Sequence, residues 1–136
     1  IEGEMGKVKD AMNFKGDLKS FINYIRTSKE QMPFEKPEEI ISNFNRIHER
    51  LNKKLGDVFA VSPKAGFEVR RTEAFREASA SAEYVPGSKD ATRPGTFYVP
   101  IPDVKNYNKF ADEALFLHEA IPGHHYQLSL QQENTE

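Results

Sequence analysis

The chain has 136 residues, 38% of them hydrophobic and 29% charged, which suits one modest domain with a limited core. With 19 Lys and Arg against 21 Asp and Glu, the net charge of −2 argues against a general nucleic-acid binder, which carries a basic excess. No apolar run approaches the roughly 20 residues of a membrane span, and the lack of cysteine excludes disulfides, thiolate metal sites and cysteine nucleophiles.

In chain order, Asp17 to Met32 reads as an amphipathic helix. Leu18, Phe21, Ile22 and Ile25 fall at i, i+3, i+4 and i+7, Asp17 is an N-cap candidate, and Pro33 marks the stop. A second helix is predicted from Pro37, with Glu38 and Glu39 at its positive dipole end and Lys53 and Lys54 at its negative end. Its stripe is Ile40, Phe44, Ile47, Leu51 and Leu55, and Gly56 is a natural residue beyond its end. The short link between these helices predicts an antiparallel pair over residues 14–56. His48 on the second helix reads as a surface or boundary residue.

From Val58 the helical period fades. Phe67 to Arg70, Ala82 to Val85 and Thr96 to Val99 are strand candidates, rich in β-branched and aromatic residues. The Pro-, Gly- and Ser-bearing stretch 86–95 reads as a loop joining the last two into a hairpin. Residues 66–100 are thus expected to hold a small antiparallel sheet, with Tyr84, Phe97 and Tyr98 as core or strand-pair residues. Charge divides along the chain. Residues 1–71 balance at +3 and residues 72–136 at −5, which suggests a solvated helical support followed by the part that bears the chemistry. The expected class is mainly α with a small sheet, α+β, as one partial domain over residues 1–136.

A kinked third helix is expected over residues 108–132, with Phe110, Ala114, Leu117 and Ile121 on one face and Leu115 and Phe116 widening it. It contains Leu117-His118-Glu119-Ala120-Ile121-Pro122-Gly123-His124-His125-Tyr126-Gln127, with three of the chain's four histidines. Zinc peptidases commonly use a helical HExxH, in which two His at i and i+4 bind the ion and the Glu acts as general base. Here His118-Glu119 starts that pattern and Pro122 stands where the second His belongs. On a straight helix His118 and His125 would share a face but lie about 10 Å apart in rise, too far for zinc–nitrogen bonds of about 2 Å. Pro122, with no N–H and a ring that clashes with the His118 carbonyl, forces a bend, and Gly123 permits unusual backbone angles. The Pro-Gly pair then reads as an insertion that returns His124 towards His118. The same residues fit a plainer reading, in which Pro and Gly end the helix and leave the histidines in an exposed loop.

The segment His118 to Gln127 resembles the signature of a large bacterial family, domain of unknown function 885, whose members resemble zinc metallopeptidases with an HExxH helix and a Glu as third ligand. Tyr84-Val85-Pro86-Gly87-Ser88 and Arg93-Pro94-Gly95-Thr96-Phe97-Tyr98-Val99 are similar to its second block. Leu18 to Arg26 and Pro37 to Leu55 fit its helical pair. The resemblance implies zinc-dependent peptide hydrolysis with His118 and His124 as ligands, Glu119 as general base, and His125 as a lesser ligand candidate. It also implies that Thr96, Phe97, Tyr98 and Val99 form a sheet edge where an extended peptide pairs, with Arg93 either stabilising the loop or meeting a substrate carboxylate. The alternative function is a non-catalytic peptide-binding module on a degenerate peptidase fold.

The third ligand would sit on a later helix, and Glu133 and Glu136 stand in for it only by default. The chain begins without an initiator Met or leader and stops just after the motif, so it reads as a piece cut from a longer protein. The expected partners are a peptide and the remainder of the parent chain. Two histidines and solvent hold zinc weakly, so this piece is expected to bind zinc poorly and to lack peptidase activity. Members of the family often carry export or lipoprotein signals, which implies a periplasmic or lipoprotein-anchored location.

Overall fold

The structure, a computed structural model, describes residues 1–134. It opens on a helix that the apolar pattern does not announce, α1 (Glu2–Ala11), which buries none of its residues. Next, α2 (Leu18–Thr27) starts where Asp17 accepts a hydrogen bond from the Ser20 N–H at 2.7 Å, and it buries Phe21 and Ile25. A short 3-10 turn, Lys29–Gln31, follows.

The longest helix is α3 (Pro37–Leu55). Pro37 takes the first position, and the Glu39 carboxylate accepts the N–H groups of Glu35 and Lys36 at 2.7 and 3.0 Å, satisfying donors left free at a helix start. Ile40, Phe44, Ile47 and Leu55 are buried as their spacing predicts. At Gly56 the backbone stays right-handed, with φ −63°, and the chain runs on into a turn bonded to the Leu55 carbonyl. The expected pairing of the two helices is not the main packing. α2 lies chiefly against α1 and the 3-10 turn, whereas α3 lies against the sheet and the motif helix.

The sheet contains β1 (Phe67–Arg71), β2 (Glu83–Val85) and β3 (Gly95–Val99) in the order β1-β3-β2. β2 and β3 form the expected antiparallel pair, with Tyr84 opposite Phe97. β1 runs parallel to β3, from Phe67 opposite Gly95 to Arg71 opposite Val99, so the sheet is mixed rather than purely antiparallel. A parallel pair needs a long crossover, and the 23 residues between β1 and β3 supply it by way of β2. Arg71 grips Glu77 in this crossover through two 2.7 Å hydrogen bonds. Glu77 also accepts the Ile101 N–H at 2.7 Å, which ties the crossover to the chain beyond β3. The fold is α+β, and among the described residues no helix is long and apolar enough to cross a membrane.

A 3-10 turn, Lys109–Ala111, leads into α4 (Asp112–Glu119), and α5 (Gly123–Glu133) follows after three residues. The motif segment is therefore two helices rather than one kinked helix. The buried residues of α4 are Asp112 and Phe116, followed by Ala120 and Ile121. Of the expected face, Phe116 and Ile121 are buried while Phe110, Ala114 and Leu117 are exposed, so the first helix of the motif is rotated to turn its Phe116 side inward. Phe116 decides the orientation. It meets Phe97 edge-on at 5.9 Å and stacks near Phe44 at 6.2 Å, at the centre of the core.

Candidate metal centre

The break between α4 and α5 has a local cause. Pro122 has no N–H to give the His118 carbonyl, so the α-helical ladder cannot continue through it. The chain instead closes two wide turns. The Ile121 N–H bonds the Phe116 carbonyl at 3.1 Å, and the His125 N–H bonds the Ala120 carbonyl at 3.0 Å. Each spans five residues where an α-turn spans four, so each takes up one extra residue. Two extra residues turn an i, i+4 relation into i, i+6, the spacing of His118 and His124.

Gly123 sits directly against the end of α4. A Cβ on it would lie 2.0 Å from the His118 carbonyl oxygen, which no side chain tolerates. Its φ is not positive, so space rather than unusual backbone angles is what the position requires.

The result is a cluster. The imidazoles of His118 and His124 lie 5.2 Å apart, edge to face. Glu119 lies between them, with one carboxylate oxygen 3.9 Å from His118 Nε2 and the other 3.8 Å from His124 Nε2. One ligand atom from each residue lies within 4.8 Å of the others. A tetrahedral ion with bonds of about 2.1 Å sets its ligands about 3.4 Å apart, within reach of small side-chain rotations. Two imidazole nitrogens are donors that zinc accepts, and the carboxylate beside them is close enough to act on a water at the same place. Side-chain exposure of 72% at His118 and 38% at His124 leaves the cluster open to solvent, while Glu119 is more enclosed at 22%. His124 Nδ1 lies 3.2 Å from Gln127 Oε1, an approach that presents Nε2 to the cluster.

His125 is elsewhere. It is 3% exposed, packs 5.3 Å from Phe67, and its Nδ1 lies 2.7 Å from the Tyr84 hydroxyl. Burial, helped by His48, pushes its pKa down to about 4, so it is neutral. His48 is a boundary residue packed on Phe67 and Phe116, and burial lowers its pKa as well. The Glu133 carboxylate accepts the Lys64 N–H at 2.7 Å and is not in the cluster, and Glu136 lies outside the described residues.

The expected peptide edge is displaced. Thr96, Phe97, Tyr98 and Val99 lie on β3, the central strand, with β1 and β2 paired on either side, so no peptide can add to it. Phe97 and Val99 are in the core, and Thr96 donates to Glu68 at 3.0 Å. Arg93 takes the loop-stabilising role, donating to the Pro86 carbonyl at 3.0 Å. Strand order depends on pairing over distance, and nothing in the local pattern of β3 distinguishes a centre from an edge.

Sequence reasoning also missed a buried carboxylate at the base of α4. Asp112 accepts hydrogen bonds from Tyr107 and Asn43, both at 2.8 Å, and burial raises its pKa to about 6. Its partners Asn43 and Tyr107 come together only in the fold, and an acid in the first turn of a helix carries no local sign of burial.

The crystal structure of a protein described as a "putative lipoprotein" from Colwellia psychrerythraea superimposes on this fold with a TM-score of 0.84 at 25% identity. The match covers 97% of this chain and 23% of that one, so the chain spans less than a quarter of its solved relative. No curated protein matches. A family model described as "Bacterial protein of unknown function (DUF885)" matches residues 1–136. The chain belongs to the DUF885 family of bacterial proteins.

Proposed function

We propose that this chain carries the metal-binding and base residues of a zinc-dependent peptide hydrolase. The observation that supports it best is the convergence of His118, Glu119 and His124 within 4.8 Å across a break in the helix. In this reading the neutral imidazoles of His118 and His124 hold the ion. When bound, zinc supplies a Lewis acid that polarises a carbonyl and lowers the pKa of water to about 7.

Glu119 does the proton work. Its carboxylate, 3.8 Å from His124 and enclosed more than either imidazole, takes a proton from the attacking water and passes it to the leaving amine. His125 is left out of the ligand set because its Nδ1 is engaged by Tyr84 inside the fold. The description carried by the Colwellia relative supports a location at or beyond the cytoplasmic membrane.

The test is peptide cleavage by the zinc-loaded intact parent protein, followed by mass spectrometry, with the 136-residue piece alone expected to cleave nothing. Glu119→Gln is expected to lower turnover by about 10²–10⁴-fold while zinc binding remains. His118→Ala and His124→Ala are each expected to remove zinc. Activity retained by Glu119→Gln would refute the general base. An intact protein that binds peptides and cleaves none would favour a non-catalytic binding module.

A further inference from the structure

We propose that Tyr84 and Gly95 are positioning residues for His124, acting through His125. The inference rests on the metal reading of His124 for its purpose, but its geometry stands without it.

The first turn of α5 begins at Gly123 with no side-chain cap. With no cap, the rotation of α5 about its own axis is set by the side chains it buries, His125, Tyr126 and Ser129. That rotation matters here. A helical side chain lies about 5–6 Å from the axis, so a turn of 10° moves it by about 1 Å. Ligand geometry tolerates about half of that. Of the buried side chains, His125 is the residue next to His124 on the first turn and is hydrogen-bonded to the sheet, so it bears most directly on where His124 points.

His125 projects into the fold, and Tyr84 reaches it from β2 at 2.7 Å, across 41 residues of sequence. Phe67 of β1 closes one side at 5.3 Å. Ser129, one turn further along α5, lies 3.5 Å from the same nitrogen. Space for the pair comes from β3. A Cβ on Gly95 would fall 2.0 Å from the Tyr84 hydroxyl and 2.9 Å from His125 Nδ1. All three strands therefore converge on one imidazole. A ring fixed in this way fixes the neighbouring residue, and His124 is turned outward to Glu119 on one side and Gln127 on the other. Two adjacent histidines divide the labour, one as anchor and one as ligand.

The experiment compares Tyr84→Phe, which removes one oxygen, with Gly95→Ala, which intrudes on the pair from the opposite strand. Phe21→Leu, a core change in α2, serves as a control for lost stability. The first readout needs no metal. It is the proton nuclear Overhauser effect between the rings of His118 and His124, which lie 5.2 Å apart. Tyr84→Phe and Gly95→Ala are expected to lose it, and Phe21→Leu to keep it, with all three folded by circular dichroism. The second readout is zinc affinity by competition calorimetry, expected to fall about 10- to 100-fold in the two site variants and by less than twofold in the control. An Overhauser effect retained in Tyr84→Phe overturns the proposal, as does a zinc affinity that follows melting temperature across all three variants. If His118→Ala and His124→Ala leave zinc affinity unchanged, the metal reading falls and the proximity of the two rings alone decides the positioning role.

Discussion

α3 contains 19 residues, and α4 and α5 together contain the same number, as 8 and 11. The two sets are built to different ends. α3 starts on Pro37, caps itself with Glu39, and buries an apolar stripe. The motif pair is broken by Pro122, and its buried residues include Asp112, His125 and Ser129. A continuous helix spreads its side chains at fixed angles and cannot bring i and i+6 together. The break gives up regular hydrogen bonding and gains a meeting of two imidazoles and a carboxylate. α3 supplies the support that lets the break persist.

The largest effect should come from that support. Phe44 is fully buried, edge-on to Phe97 at 5.3 Å and stacked near Phe116. Phe44→Ala is expected to lower stability by about 3–5 kcal/mol, measured by urea denaturation. A loss below about 1 kcal/mol, the usual size of a surface or peripheral change, would mean that α3 is not the support assigned to it.

Gly123→Ala probes the break. The added methyl meets the His118 carbonyl at 2.0 Å, and backbone must move because no flexible side chain is there to yield. The expected cost is about 3 kcal/mol. The imidazoles of His118 and His124 are expected to move apart even where the protein remains folded, which the Overhauser effect between them reads. The two substitutions separate the regions. Damage to α3 follows lost volume, whereas damage to the break follows displaced geometry and reaches the site directly. A Gly123→Ala variant whose two rings stay together would dissolve that distinction.

The same contrast explains what could be read in advance. α3 was legible because propensity, capping, dipole charges and period all agree there. Asp17 and the antiparallel β2–β3 pair were legible for similar local reasons. α1 was not, because it buries nothing and so has no apolar face to reveal it. The face of α4 was misread because Ala114 to Leu117 are apolar in succession and fit two stripes. Packing on Phe97 and Phe44 decides between them, and those partners are distant in sequence. Pro122 and Gly123 pointed correctly to a bend that draws His124 towards His118. The reason for Gly123, close approach rather than backbone freedom, became visible only with the His118 carbonyl in place. The central position of β3 and the Tyr84–His125 hydrogen bond both depend on long-range pairing, which no local pattern encodes.

Titration sharpens the comparison further, since the buried residues of α3 are apolar while the motif helices bury Asp112 and His125. His125 falls from 6.5 to about 4 on folding, so the unfolded chain binds the extra proton between those values. Its contribution to stability is complete above pH 6.5 and is lost as pH falls through about 4. Asp112 rises from 3.8 to about 6, so the folded chain keeps a proton that the unfolded chain has released. Its contribution is present below pH 3.8 and is lost as pH rises through about 6. Between about pH 4 and 6 the two oppose each other. Asp112→Asn removes one side, so stability in that variant should fall more steeply than wild type on acidification from pH 6.5 to about 4, as read from urea midpoints. Parallel curves would show that Asp112 does not titrate in this window.

The smallest effect belongs to the other glycine at a helix end. Gly56 follows α3 with φ −63° and ψ −22°, angles that any residue adopts, and a Cβ there meets nothing within 4 Å. Gly56→Ala should therefore act mainly on the unfolded chain, by reducing its freedom, and raise stability by about 0.4–1 kcal/mol. Set beside Gly123→Ala, the same chemical change is expected to have the opposite sign. The difference does not come from backbone angle, since neither glycine has a positive φ. It comes from what stands opposite the missing side chain, which is open space at Gly56 and the His118 carbonyl at Gly123. A destabilised Gly56→Ala would show that the end of α3 is also under close constraint, and that the contrast between a tolerant support and an exacting break is overdrawn.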